Sequence, residues 1–390
     1  MPGKIAALAL SAILGATAAD AAEATRSFQQ AFPTGGEIRL ANLAGRVEIV
    51  RGQGRDLVVN ATVHGDFGGA ETQRVLQNMK WVRSHDRKGR AEWALSYPVE
   101  SHRSYVYPIS RKSEDNPLPS WLSFLNIGPS SMTTYRGERV RIYTTRRSSV
   151  PVLYADLRIA LPAGANAALR NSMGPVKGGD LEGTLTIDTG SGKVEVASHT
   201  GQLTVDTGSG DVILGSVKGE TSVDTGSGDV VVRRLVGNGS VDTGSGDVTI
   251  QQISAGRLMV DTGSGDVTLE QGVAGKVVAD TGSGGIKVVA VELDDLSAET
   301  GSGNITVQSS LANTKRVRAE TGSGDVDIKA GPDASFDIDS DQGSGDLIVG
   351  YADAVLRKSG HKVVGAKRGN GNTVIRVETG SGDCTIRPRG

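Results

Sequence analysis

The chain has 390 residues, 42 Lys and Arg against 44 Asp and Glu, and a single cysteine. That length holds two or three domains, one cysteine excludes an intrachain disulfide framework, and the near-neutral balance excludes a uniformly basic or acidic binder. The balance is local, however: residues 80–147 carry 13 Lys/Arg against 6 Asp/Glu, whereas residues 170–349 carry 13 against 27. Arguments from charge about partners therefore apply to each region separately. Aromatic residues divide the same way, since all three Trp and six of the seven Tyr precede residue 160.

Reading from the start, Lys4 and the apolar run Ile5 to Ala19 form the n- and h-regions of a signal peptide over residues 1–24. Cleavage is expected at Ala19-Asp20-Ala21 or Ala22-Glu23-Ala24. Asp20 and Glu23 cut the run short of the roughly 20 apolar residues a membrane span needs, and no second candidate span follows. The chain is thus expected to be exported to the periplasm, outer envelope or cell surface, with no transmembrane span after cleavage. Nucleic acid is not an expected partner for such a protein.

Residues 25–169 read as a β-rich domain with strands at Glu37 to Leu40, Arg46 to Val50, Asp56 to Val63, Trp81 to Ser84, Glu92 to Tyr97 and Leu153 to Leu161. Ala70 to Asn78 is a candidate short helix, and Leu43 to Ile49 looks like a degenerate early copy of the later repeat. Residues 98–148 form an insertion rich in Ser, Pro, Arg and Tyr. Within it the segment Pro119 to Leu125 is either a satellite core or, if exposed, a contact surface.

From residue 170 to 350 the chain is dominated by a repeat. The motif starts at Asp188, Asp206, Asp224, Asp242, Asp261, Asp280, Glu299, Glu320 and Asp341, and once more at Glu378, with a weaker copy at Arg170 to Val176. A fixed short period means stacked supersecondary units. In each unit a strand ends in an apolar residue, then come the acidic residue and Thr-Gly-Ser-Gly, usually with Asp, and a second strand alternates as in Val212/Leu214 and Val230/Val232. The predicted fold is all-β: a parallel β-solenoid, one coil per repeat of 18 to 21 residues, preceded by the β-rich domain. Coils stacked about 4.8 Å apart turn the Val/Ile/Leu columns into a narrow core. The two glycines are expected to supply positive φ for the turn, and the core is expected to thin where Ala279, Ala298, Ala319 and Ser340 replace Val. Residues 351–390 are read as an irregular C-terminal cap plus a last repeat, the cap folding over the final coils.

Three chemistries merit weighing. Asp-Thr-Gly-Ser also surrounds the catalytic carboxylate of aspartic proteases, but those need two loops converging from large lobes, and six copies every 18 or 19 residues do not build lobes. Stacking puts Asp211, Asp229, Asp247 and Asp266 in one column, where charges about 5 Å apart repel by roughly 1 kcal/mol in water. Turn capping by Asp and Ser, solvent screening or a calcium ladder would offset that repulsion; capping is the preferred reading and calcium the alternative. The basic run Lys80, Arg83, Arg87, Lys88 and Arg90 beside Trp81 and Trp93 is a candidate grip for anionic polysaccharide, with Tyr105, Tyr107 and Trp121 as further candidate ligand contacts; a solvated hairpin is the bland reading. No nucleophile–base pair, phosphate loop or zinc spacing is present, and Cys384 sits where other repeats carry Val, Ile or Leu.

Leu40 to Ile49, the export signal and the Thr-Gly-Ser-Gly-Asp-Val repeats together resemble the bacterial putative-adhesin domains of β-strand repeats, a family of unknown molecular function. The resemblance spans most of residues 30–390 and implies an envelope or surface protein; the 98–148 insertion departs from it. The expected function is that of a non-catalytic binding or scaffold module, with no cofactor and an envelope or surface polysaccharide or protein as partner. The alternatives are a polysaccharide-processing β-helix enzyme and a calcium-binding β-roll-like module.

Overall fold

The protein is described by a computed structural model covering residues 23–86, 88–108 and 130–389. The predicted signal peptide, up to Ala22, and the Pro119 to Leu125 segment lie outside these residues. Among the described residues the chain is almost entirely strand, with one helix, Gly69–Asn78. It divides into two compact units, residues 1–198 with 206–208, and residues 199–205 with 209–390.

Unit 1 begins with an antiparallel trio in which Leu57–Asp66 is flanked by Ala24–Phe32 and Val152–Pro162. Sequence and structure agree on Leu57–Asp66 and Val152–Pro162 to within about three residues at each end, because alternate residues of Leu57–Asp66 are buried, whereas Ala24–Phe32 was not anticipated. The helix ends without a basic residue in its last turn. Arg26 fills that role from a neighbouring strand, its guanidinium donating to the carbonyls of Leu76 at 2.7 Å and Met79 at 2.8 Å. The degenerate early repeat, Leu43 to Ile49, pairs with a later one in unit 1: Val47 lies opposite Val176, and the preceding strand Ile38–Asn42 runs parallel to Ala165–Met173, with Leu40 opposite Leu169 and Asn42 opposite Asn171. The Asn42 amide donates to the Asn171 side chain at 3.0 Å and to the Ala155 carbonyl, and the Tyr97 hydroxyl donates to Asn42 at 2.9 Å. This buried polar chain is closed by partners at each step, as an interior without water requires.

Unit 2 is the parallel solenoid. Residues of successive coils pair in register through Val212, Val230, Val248, Val267, Ile286, Ile305 and Val326. The opposite wall pairs in the same way, as Val223, Val241, Val260, Ala279, Ala298 and Ala319. All of these side chains are buried, and each Val removed from water contributes about 1.5–3 kcal/mol. One such coil could not shield its own stripe; the neighbours above and below do so.

Positive φ, expected of the repeat glycines, is found at Gly174 and Gly192 in unit 1, but in unit 2 the turn glycines serve another purpose. Positive φ is absent at Gly228, Gly246, Gly265, Gly284 and Gly303. They are glycine because coils approach too closely for a side chain: a Cβ on Gly246, Gly265, Gly284 or Gly303 would lie 1.9 Å from the carbonyl oxygen of the equivalent glycine one coil back. The first glycine of each turn is nearly as tight, at 2.4 Å for Gly244, Gly263, Gly282 and Gly301.

The order of coils in space differs from their order in sequence. Thr373–Thr379 pairs with Arg316–Thr321 on one side and with Phe336–Gln342 on the other. Cys384 likewise lies between Val326 and Leu347. The last repeat is therefore inserted between the two repeats that precede it. The intervening segment supplies a hairpin, Val355–Ser359 with Lys362–Arg368, whose second strand runs antiparallel along Phe336–Asp339. Arg357 fastens the hairpin to Asp337 and Asp339, each at 2.6 Å, and the Lys362 ammonium donates to the carbonyls of Gln342 and Gly343. These contacts cover part of an otherwise open sheet edge. Phe336 and Tyr351, with ring centroids 5.3 Å apart, fill the end of the core beyond its alanine stretch.

Candidate functional site

The turn motif is the most chemically distinctive element of unit 2, and its side chains are engaged in holding coils together. The threonine is buried. Thr262 Oγ1 accepts the Gly265 N–H at 3.1 Å and donates to the Gly246 carbonyl of the preceding coil at 3.0 Å. Thr243, Thr281, Thr300, Thr321 and Thr379 repeat this pair of bonds. Serine does not share the expected capping role: Ser227, Ser245 and Ser264 make no side-chain hydrogen bond among the described residues. Threonine performs it instead, because its side chain points inward to the backbone.

The Asp column forms a second ladder, running between coils rather than within a turn. Asp211 Oδ1 accepts the Asp229 N–H at 3.3 Å, Asp229 that of Asp247 at 2.9 Å, Asp247 that of Asp266 at 2.8 Å, and Asp266 that of Gly285 at 2.7 Å. The ladder lapses at Gly285 and resumes from Asn304 to Asp325, Asp383 and Asp346. That Asn304 replaces Asp without loss of the rung shows that the position requires an acceptor oxygen, not a charge. Among the described residues no group of three or more His, Cys, Asp or Glu is placed to hold a metal ion.

The acidic residue that opens each motif points outward. Its column, with the Thr-Gly edges beside it, lines a groove of about 710 Å³ bordered by Asp280, Glu299, Glu320, Glu378 and Asp341. Within the same column burial pushes the Asp242 carboxyl up, and the neighbouring Asp261 and Asp224 push it further. Each carboxylate is one rung of a periodic row, and no pair faces another across a shared water as an aspartic protease requires. Cys384 is buried in the core, where desolvation raises its thiol to about 12.

In unit 1 the hairpin Trp81–His85 with Ala91–Leu95 brings Arg83 opposite Trp93, its guanidinium 4.1 Å from the ring centroid. Phe32 packs edge-on against both Trp81 (5.7 Å) and Trp93 (5.5 Å). Trp81 is buried, while Trp93 is half-buried and Arg83, Lys80 and Lys88 are exposed. Arg90 is paired with Asp86 at 2.6 Å, whereas Lys80, Arg83 and Lys88 have no carboxylate partner among the described residues. Tyr105 is fully buried in a cluster with Tyr97 and Tyr135, so a ligand on the surface could not touch it. Tyr107 is half-buried against Tyr154 at 5.2 Å, apart from the tryptophan hairpin in sequence and pairing. Arg87 and Trp121 lie outside the described residues. Sequence reasoning preferred Asp and Ser as the caps and did not single out the threonine column; its signal was Thr at the second motif position in nine of the ten clear copies.

No helix among the described residues is long and apolar enough to cross a membrane. Comparison with curated proteins gave no match. Among solved structures, a putative adhesin from Parabacteroides distasonis ATCC 8503 is 11% identical, with 93% of this chain and 96% of that chain covered at a TM-score of 0.37. A putative lipid binding protein from the same organism is 14% identical over 94% and 97%, also at 0.37. A putative cell adhesion protein from Clostridium sporogenes ATCC 15579 is 8% identical over 94% and 100%, at 0.15. Likeness at these TM-scores says nothing of what this chain binds. The Toastrack DUF4097 family model matches residues 223–387, the stretch that contains the in-register coils and the inserted last repeat. Over these residues the chain is similar to the Toastrack DUF4097 family.

Proposed function

We propose that the protein is exported and acts in the cell envelope or at the cell surface as a non-catalytic binding module, with unit 2 as scaffold and the unit 1 hairpin holding an anionic polysaccharide. The observation that carries this reading is the Arg83–Trp93 stack at 4.1 Å. A guanidinium held over an indole presents its N–H groups to an acid group, and the exposed part of Trp93 beside it suits the C–H groups of the sugar that carries the acid. The unpaired Lys80 and Lys88 extend the positive surface for neighbouring acid groups along a chain. The non-catalytic part of the reading is supported by the turns of unit 2, whose threonine and aspartate oxygens are committed to neighbouring coils and do not converge on a substrate. Export is supported by the leader-like sequence from Lys4 to Ala24.

The test is retention on immobilised acidic and neutral polysaccharides, with the soluble fraction assayed for released sugar. Retention on acidic polymers that weakens at least tenfold in Arg83→Gln and Trp93→Ala, with no sugar released, is the expected result. Release of product would favour the polysaccharide-processing enzyme, and equal retention of both variants would remove the hairpin as the binding surface.

A further inference from the structure

We infer that a second site in unit 1, a cleft of about 560 Å³ between the start of the helix and the turn Arg147–Val150, binds a small carboxylate of the uronic acid type. The size falls within the roughly 300–1,000 Å³ typical of small-molecule sites. The inference is independent of the tryptophan hairpin and rests on how the charges of the cleft are already spent.

Four ionised side chains line it, and three have partners. Arg146 is held by Asp66 at 3.4 Å and, in the uncleaved chain, also by Glu23 at 2.7 Å. Glu71 is paired with Arg74 at 3.2 Å. Arg147 is the exception: it has no carboxylate partner among the described residues, and its Nε is buried without an acceptor. That Nε is closed to solvent and so to a ligand; an acid group in the cleft would meet the terminal nitrogens of the guanidinium, whose charge no carboxylate neutralises. The group is also fixed in place, because its guanidinium lies over the Tyr143 ring at 4.4 Å from the centroid. An acid group meeting it would not have to order a long side chain first.

The remaining walls fit the rest of such a molecule. Ser148 and Ser149 put two exposed hydroxyls at the tip of a tight turn closed by the Val150 N–H on the Arg147 carbonyl at 3.2 Å. The helix opens at Gly68, which has no side chain to cap its first turn. Phe67 and His102, in edge contact at 5.1 Å, form an apolar wall for ring C–H groups. Asp66 and Glu71, which also line the cleft, set the charge of the ligand. With one cation unpaired and two carboxylates nearby, a monoanion is accommodated and a phosphate dianion is repelled.

The experiment is titration calorimetry on the full chain with glucuronate, glucose and inorganic phosphate. Glucuronate is expected to bind with one-to-one stoichiometry, glucose and phosphate at least tenfold more weakly. Arg147→Gln should weaken glucuronate at least tenfold. Ser149→Trp, which fills the cleft from an exposed position and leaves Arg147 and Tyr143 untouched, should abolish binding; it decides the matter if Arg147→Gln loses stability. Arg83→Gln should leave glucuronate binding unchanged, which separates this site from the hairpin. No glucuronate binding by the wild type, or equal binding by the Ser149→Trp variant, would overturn the inference.

Discussion

Gly265→Ala is a direct probe of how closely the coils approach. The new Cβ would lie 1.9 Å from the Gly246 oxygen and 2.4 Å from its carbonyl carbon, where ordinary contact begins at 3.4 Å. Both atoms belong to backbone, so relief requires two coils to part by about 1.5 Å, roughly a third of their 4.8 Å spacing. Three hydrogen bonds cross or brace that gap: Gly265 N–H to Thr262 (3.1 Å), Thr262 to the Gly246 carbonyl (3.0 Å) and Asp266 N–H to the Asp247 carboxylate (2.8 Å). At about 1 kcal/mol each their loss costs about 3 kcal/mol, and residual overpacking adds about 1–2 kcal/mol. In a unit of this size that lowers the melting temperature by roughly 8–20 °C. Ser264→Ala, one residue away, exposed and without a side-chain bond, should stay within about 0.5 kcal/mol of wild type. Thermal melts followed by circular dichroism compare the two. Equal melting temperatures for Gly265→Ala and Ser264→Ala would refute the close-approach explanation of the glycine ladder.

Further outcomes follow from the same geometry. Thr262→Val keeps the shape but leaves a buried N–H and C=O without their side-chain partner, and urea unfolding should register a loss of about 2 kcal/mol. Cys384, its thiol raised to about 12 and buried, should resist Ellman's reagent at pH 8 in the folded protein and react fully in urea. Burial raises the Asp156 carboxyl, but the His64 side chain at 3.4 Å and the Arg46 N–H at 2.8 Å more than offset this, so it titrates below the usual carboxylate range. A lowered folded value gives stability that is present above the unfolded value of about 3.9 and lost as pH falls through the folded one. Wild type should therefore exceed Asp156→Asn in stability at pH 6, and the difference should vanish in strong acid. If the Asp column is satisfied by backbone N–H groups, calcium and chelator should leave the melting temperature of unit 2 unchanged; a rise with calcium would restore the metal reading.

The solenoid was legible in the sequence because its cause is periodic. Identical turns every 18 to 21 residues leave few arrangements other than coil upon coil, and the burial of Val230, Val248 and Val267 in one column follows from that alone. What a linear reading could not supply was anything set by contacts between coils. Glycine in a turn suggests positive φ, whereas Gly246 and Gly265 answer to a carbonyl one coil away. Serine and threonine are alike as cappers on paper, and only the inward direction of Thr262 distinguishes them. The step of 37 residues before Glu378 was visible, yet nothing in it says that the last coil enters between two others. In unit 1 the Trp81, Trp93 and Arg83 cluster was suggested by proximity along the chain, while Arg147 and His102 meet around a cleft from 45 residues apart and carry no common motif.

The inserted coil offers the most direct test of in-register stacking. Glu320 and Glu378 are direct partners, as are Glu378 and Asp341, which leaves Glu320 and Asp341 two spacings apart, about 9.6 Å. Disulfides need Cα atoms within about 7 Å. In a Cys384→Val background, Glu320→Cys with Glu378→Cys should cross-link under mild oxidation, and Glu320→Cys with Asp341→Cys should not. Cross-linking of the second pair in preference to the first would mean that coils stack in sequence order, and would contradict the fold described above.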